Sequence, residues 1–249
     1  MSERTIELRI QRQDTPESEP YWEEFSLPYQ PNSNVLACLQ DIQKNPINKE
    51  GKKVKPVVWQ SNCHEEVCGA CTMLINHRVR QGCSAIIDKL HQPIVLQPMS
   101  KFPVQRDLIV DRHRGFESLK KVKAWVPMDG FHDLGPGEKI LPDHQQTAYA
   151  LSQCMSCFSC LEVCPQFNKD NNFIGAAAIS QARLFNMHPT GKLIKNERID
   201  ALTEEGGIHL CGNAQNCVQH CPKSIPLTES IAEMGKQATV RMFTKLFVR

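Results

Sequence analysis

Residues 154–165 read CMSCFSCLEVCP, which sets Cys154, Cys157, Cys160, Cys164 and Pro165 in a C-x2-C-x2-C-x3-C-P run. This is the bacterial iron–sulfur spacing, in which the fourth cysteine ligates the other cluster of a two-cluster domain. That rule demands a second run, and residues 211–222, CGNAQNCVQHCP, supply it with Cys211, Cys217, Cys221 and Pro222. A complete second run would carry a cysteine at 214, where this chain has alanine. Shared ligation then gives four thiolates for a [4Fe–4S] cluster: Cys154, Cys157, Cys160 and Cys221. Three thiolates remain, Cys164, Cys211 and Cys217. Ala214 offers no side-chain donor for a fourth iron, so a [3Fe–4S] cluster is the natural occupant.

An earlier segment carries a different spacing. Residues 63–83 hold Cys63-x4-Cys68-x2-Cys71 and then Cys83, the plant-type [2Fe–2S] pattern. Gly69 and Ala70 leave room for backbone amides near the cluster, and Cys83 closes the site from a later segment. Zinc is the competing reading. Zinc sites usually show two C-x2-C knuckles, whereas here a triple is followed by a single cysteine. Only Cys38 is left over, beside the apolar face of a predicted helix, where it reads as a core thiol. Because the cysteine set is complete, His64, His209 and His220 read as non-ligands. His64-Glu65 opens like H-E-x-x-H, but Cys68 holds the closing position.

Composition agrees with a metal protein. The chain has 249 residues, 41% hydrophobic and 22% charged, and length alone suggests two folded domains. A net charge of +2 gives no argument for nucleic acid. No segment reads as a secretory leader, and residues 144–161, the longest charge-free stretch, carry too many glutamines and serines for a membrane span. Twelve cysteines in a reducing compartment point to metal, not disulfides. No G-x-G-x-x-G and no P-loop is present, so the chain shows electron carriers but no site for substrate chemistry.

The pattern predicts an α+β fold. Thr5–Gln13 alternates as a half-buried strand and Trp22–Tyr29 reads as its hairpin partner. Ser33 or Asn34 caps a helix over Val35–Lys44, and Pro56–Gln60, Thr72–Ile75 and Ile94–Leu96 are further strands. From Arg106 a helical stripe runs through Leu108, Val110, Phe116, Leu119, Val122 and Trp125. A Gly/Pro stretch over 127–142 reads as a loop or strap. Helices are predicted near 144–153, 177–187, 197–205 (capped by Asn196, stopped by Gly206) and 227–247. The boundary is placed between a 1–105 domain and a 106–249 domain. The basic, apolar-striped end of the last helix reads either as packed on its own core or as docking on a membrane partner.

Taken with their order, the stretches NCHEEVCGACTMLINHRVRQGC, RDLIVDRHRGFESLKKVKAWVP, QCMSCFSCLEVCPQF and CGNAQNCVQHCPKSIPL resemble the iron–sulfur subunits of succinate:quinone oxidoreductases. The resemblance covers essentially the whole chain and looks closest to the succinate dehydrogenases of Bacillus-like bacteria. It implies an N-terminal β-grasp [2Fe–2S] ferredoxin domain followed by an all-α domain like the bacterial ferredoxins. It implies a flavoprotein partner with covalent FAD, a membrane cytochrome b anchor, and electron transfer to quinone through the three clusters. It also implies peripheral attachment at the cytoplasmic face of the cell membrane, with Pro165 beside the [3Fe–4S] cluster. Ubiquinone-reducing members carry a tryptophan and a histidine where this chain has Lys169 and Gly212, which favours menaquinone. The fumarate reductase direction, a free ferredoxin-type carrier and a multi-zinc structural protein are the alternatives.

Overall fold

Alternation along β1 (Thr5–Arg12) turns Ile6, Leu8, Ile10 and Arg12 inward. The computed structural model describes residues 4–127 and 138–247. β1 pairs antiparallel with β2 (Tyr21–Pro28) in one unbroken register, Thr5 opposite Pro28 through Arg12 opposite Tyr21. Helix α1 (Val35–Lys44) starts where expected, with Asn34 Oδ1 accepting the Ala37 amide at 2.9 Å. It buries Val35, Leu36, Cys38, Leu39 and Ile42 in the same core as the sheet, so Cys38 is the core thiol its position suggested. Burial pushes that thiol up to about 11, which keeps it protonated.

β3 (Thr72–Ile75), β4 (Arg78–Gln81) and β5 (Ile94–Gln97) complete a five-stranded sheet in the order β2-β1-β5-β3-β4, with β1 and β5 parallel. Sequence reading omitted β4. Its turn is Asn76-His77 at φ +48° and +63°, a hairpin geometry usually announced by Asn-Gly. Asn76 compensates by donating to His91 O and accepting from the Val95 amide.

Two expectations change next. Pro56–Gln60 forms no strand; Val58 instead donates to Asp107 Oδ2 at 2.8 Å and accepts from the Leu108 amide. The helix expected from Arg106 begins at His113, because β6 (Val104–Arg106) and β7 (Ile109–Val110) form a small hairpin around Asp107. The Asp107 carboxylate explains this. It is drawn into the core by Arg12 and by the Gln13 and Val58 amides.

The chain divides into two compact units, Met1–Arg112 with Met155–Glu162, and His113–Cys154 with Val163–Arg249. The boundary expected at 105/106 thus falls at 112/113, and Met155–Glu162 returns to the first unit. α4 (Ser159–Glu162) groups with the first unit through its buried Glu162 carboxylate. That carboxylate accepts from Ser100 N at 2.8 Å, Ser100 Oγ at 2.5 Å and Lys101 N at 3.1 Å.

The second unit is helical: α2 (His113–Lys121), α3 (Pro142–Ser152), α5 (Gly175–Met187), α6 (Lys195–Thr203), α7 (Asn216–Gln219) and α8 (Leu227–Phe247). α5 is its centre, with Ala176, Ala177, Ala178 and Ala182 buried; small side chains let α2, α3, α6 and α8 pack against it closely. Asn196 is not the cap of α6. A 3-10 turn over Gly191–Ile194 leads directly into Lys195, and buried Arg198 fastens that turn by donating to Gly191 O at 2.6 Å. Nor does Gly206 stop the helix: α6 ends at Thr203 with Glu204 as its extended C-cap, and Gly206 turns the chain afterwards, at φ +78° and with Asn172 O 2.1 Å from where a Cβ would lie. On α8, Leu227, Ser230, Met234 and Ala238 are buried, while Met242, Phe243, Leu246 and Phe247 are exposed. Residues 128–137, most of the predicted strap, lie outside the described residues.

Candidate metal centres

The Cys63–Cys71 segment is a tight loop, with His64, Glu66 and Gly69 at φ +60°, +55° and +69°. Left-handed backbone at non-glycine residues costs on the order of 1 kcal/mol each, a strain typical of functional loops. Here it turns amides inward. Glu65, Val67 and Cys68 N–H groups point at Cys63 Sγ at 3.4, 3.3 and 3.3 Å, and Ala70 N–H reaches Cys68 Sγ at 3.4 Å. Those amides hold the Cys63 thiol down at about 7. Cys71 and Cys83 are buried, and burial pushes Cys71 up to about 12, with the Cys83 thiol beside it. Glu66 anchors the loop by accepting from Ser84 Oγ at 2.6 Å, next to Cys83.

The geometry therefore sorts these four thiols into two neighbouring pairs, Cys63 with Cys68 and Cys71 with Cys83. Two irons with two terminal thiolates each need that arrangement. Among the described residues, no three His, Cys, Asp or Glu side chains converge on one metal-ion position. Cluster ligation does not need them to, because the thiolates are spread over several irons.

In the second unit, Cys164, Cys211 and Cys217 line one cavity together with Pro165, Gln166, Gly212, Ala214 and Phe173. Cys217 is pushed up by burial, then by the charges of Cys164 and Cys211, so the three sulfurs feel one another. The backbone winds round the cavity with Asn213 at φ +52° and Gln215 at φ +60°, which presents Ala214 between them. The donor set fits a cluster with three thiolates and one unligated corner. At Gly212, a Cβ would lie 2.9 Å from Gln166 Nε2, so any side chain there must displace Gln166.

The remaining predicted ligands are distributed. Cys157 and Cys160 are buried in the first unit, where Ser156 and Phe158 take φ of +50° and +61°. Cys154 and Cys221 belong to the second. The histidines keep other company. His64 Nε2 lies 3.3 Å from Ser61 Oγ, His220 Nδ1 lies 3.1 Å from Asn216 O, and His209 lines a surface groove along α8.

Sequence reading missed the residues that hold these loops. Arg114 stacks on the Phe167 ring at 4.0 Å and donates to Asn168 O, and to Asn171 O at 2.7 Å. It thereby fixes the segment after Cys164-Pro165. Arg112 donates to Gly69 O at 2.8 Å and to Ala70 O inside the Cys63–Cys71 loop. Only the charge of these arginines is visible in the sequence; their partners lie more than forty residues away.

Comparison with known proteins fits both units. Residues 7–117 match the 2Fe-2S iron-sulfur cluster binding domain family, and residues 150–225 match the 4Fe-4S dicluster domain family. The chain is 56% identical over 248 residues to the succinate dehydrogenase iron-sulfur subunit of Bacillus subtilis (strain 168), covering 99% of this chain and 98% of that protein. It is 26% identical over 220 residues to the fumarate reductase iron-sulfur subunit of Escherichia coli O157:H7, covering 88% and 86%. Its fold matches a chain of the Mycobacterium smegmatis Sdh1 complex in the apo form with a TM-score of 0.77, at 23% identity and 97% and 98% coverage. With the α+β fold, the two ferredoxin-type domains and full-length identity in agreement, this chain belongs to the iron–sulfur subunits of succinate dehydrogenase and fumarate reductase.

Proposed function

We propose that this chain relays electrons between the FAD of a flavoprotein subunit, where succinate is oxidised to fumarate, and quinone at a membrane cytochrome b anchor. The observation that carries this reading is the spacing of eleven cysteines in three runs, with Cys164, Cys211 and Cys217 walling the cavity that also holds Ala214. We assign Cys63, Cys68, Cys71 and Cys83 to [2Fe–2S] in the 1–105 domain. Cys154, Cys157, Cys160 and Cys221 take [4Fe–4S], and Cys164, Cys211 and Cys217 take [3Fe–4S], with Pro165 shaping the last site. When bound, such clusters accept and release one electron at a time, which links two-electron flavin chemistry to quinone.

The protein's own part is electrostatic and geometric. Amide N–H groups aimed at Cys63 and Cys68 stabilise negative charge on those sulfurs and favour the reduced state. Burial of Cys71, Cys83, Cys157, Cys160 and Cys217 excludes water and opposes added charge. These two levers act in opposite directions, so each cluster's potential is set by their balance.

Lys169 and Gly212 stand where ubiquinone-reducing members carry tryptophan and histidine, and Gln166 occupies the space a side chain at 212 would need. Menaquinone is therefore the acceptor we assign, at a site built chiefly by the anchor. One preparation tests the whole reading. The purified complex should contain about nine irons per chain, an oxidised-state [3Fe–4S] resonance and a [2Fe–2S] resonance after reduction. It should also reduce menaquinone analogues faster than ubiquinone analogues. Zinc in place of iron breaks the ligand assignment, and a clear ubiquinone preference removes the quinone assignment alone.

Among the described residues, no helix is long and apolar enough to cross a membrane. Attachment at the cytoplasmic face through the anchor is the arrangement we infer. The exposed end of α8, with Met242, Phe243, Leu246 and Phe247 beside Lys245, provides a surface suited to it. Deleting residues 240–249 should leave both ferredoxin-type domains loaded but release the chain from membranes at moderate salt. Unchanged membrane recovery would assign attachment to other surfaces.

A further inference from the structure

Arg112 is half-buried at the end of the first unit, two residues beyond β7. Its guanidinium donates to Gly69 O at 2.8 Å, to Ala70 O, and more weakly to Gln60 Oε1 at 3.4 Å. Gly69 and Ala70 are the two residues between Cys68 and Cys71. The same Gly69 presses on the first cysteine run. A Cβ on it would lie 2.8 Å from both Cα and Cβ of Cys157 and 2.9 Å from Met155 O. One fixed cation therefore stands against the backbone that joins thiols of two clusters, Cys68 and Cys71 on one side and Cys157 on the other. Burial pulls the proton affinity of Arg112 down, and the charges of Cys157, Cys71 and Cys68 oppose that pull.

We propose that Arg112 is a positioning residue shared by two clusters, its permanent charge raising the reduction potentials of the [2Fe–2S] and [4Fe–4S] centres together. The inference rests on the ligand assignment above. Each reduction adds one negative charge to a cluster and its thiolates. A nearby cation stabilises the reduced form of either, so both potentials move in the same direction. The difference between the two is largely preserved, while both are made easier to reach from the flavin side. Arginine suits the role because its charge is permanent and its planar fork can bracket two adjacent carbonyls.

The test is an electron paramagnetic resonance redox titration of the whole complex carrying Arg112→Gln or Arg112→Lys, with iron counted on the same samples. Arg112→Gln keeps a donor for the carbonyls but removes the charge. At fixed ambient potential, its reduced-to-oxidised ratio should fall about tenfold at both the [2Fe–2S] and [4Fe–4S] centres, equivalent to ~59 mV for a one-electron couple. The [3Fe–4S] ratio should not move, and Arg112→Lys should stay within about twofold of wild type at both centres. The titration reads loaded molecules only, so partial cluster loss does not blunt it. Unchanged ratios in loaded Arg112→Gln, a shift at one centre alone, or an equal fall in Arg112→Lys would overturn the proposal. So would complete absence of the [2Fe–2S] resonance from Arg112→Gln, which would make Arg112 a brace for the loop. A wild-type sample without these resonances would refute the ligand assignment instead.

Discussion

Replacing Asp107 with alanine should destabilise the first unit by about 3–5 kcal/mol, the range for breaking one partner of a buried ion pair. Both side chains of the Arg12–Asp107 pair are 0% exposed. Arg12 Nε donates to Asp107 Oδ1 at 2.9 Å and its terminal nitrogen to Oδ2 at 3.3 Å. The carboxylate also accepts the amides of Gln13 at 3.1 Å and Val58 at 2.8 Å. Burial alone works against the charge on Arg12; Asp107 outweighs it and raises the proton affinity of the guanidinium. Without the carboxylate, Arg12 keeps Glu23 and the carbonyls of Lys55 and Pro56, but two part-buried amides lose their acceptor. Alanine at φ +46° adds a left-handed penalty that aspartate tolerates better. For a chain of this length the total corresponds to a fall of roughly 10 °C in melting temperature. The readout is loss of cluster absorbance on heating the loaded complex. Asp107→Asn, which keeps the shape and tolerates this backbone, should lose less. A melting point within about 2 °C of wild type for Asp107→Ala would show that water or relaxation replaces the pair.

That ion pair also shows where sequence reading stops. Cysteine spacing is local, so the ligand sets could be proposed from short windows without knowing the fold. α1 was legible for the same reason: Asn34, the apolar face and Asn45-Pro46 lie within one stretch. β4 was not, because Asn76-His77 makes a hairpin turn without the glycine that usually marks one. The β6–β7 hairpin was read as helix because Leu108 and Val110 also fit a helical stripe. Their true conformation is decided by Arg12, 95 residues away from Asp107. Nothing in the cysteine run marks Glu162, yet its carboxylate is held by Ser100 and Lys101 about sixty residues earlier. Charged side chains with distant partners are the part of this fold that periodicity cannot reveal.

Ala214→Cys should convert the three-thiolate site into a four-thiolate one. The substitution completes the C-x2-C-x2-C-x3-C-P spacing that the second run lacks at this single position. Ala214 already lines the cavity shared by Cys164, Cys211 and Cys217, so a thiol on its Cβ is in the right neighbourhood. The strained residues are its neighbours, Asn213 and Gln215 at φ +52° and +60°, so cysteine itself enters no left-handed conformation. Iron should rise from about nine to about ten per chain, and the oxidised [3Fe–4S] resonance should disappear. A fourth thiolate adds negative charge, so the new centre should be harder to reduce and electron delivery to quinone should fall severalfold. Ala214→Ser is the control, because a hydroxyl is a poor iron ligand beside three thiolates and should leave the three-iron resonance in place. Loss of that resonance in the cysteine variant alone ties the three-iron character to the missing thiol. Its persistence at unchanged iron content would mean that the backbone over 213–215, and not the absence of a ligand, excludes the fourth iron.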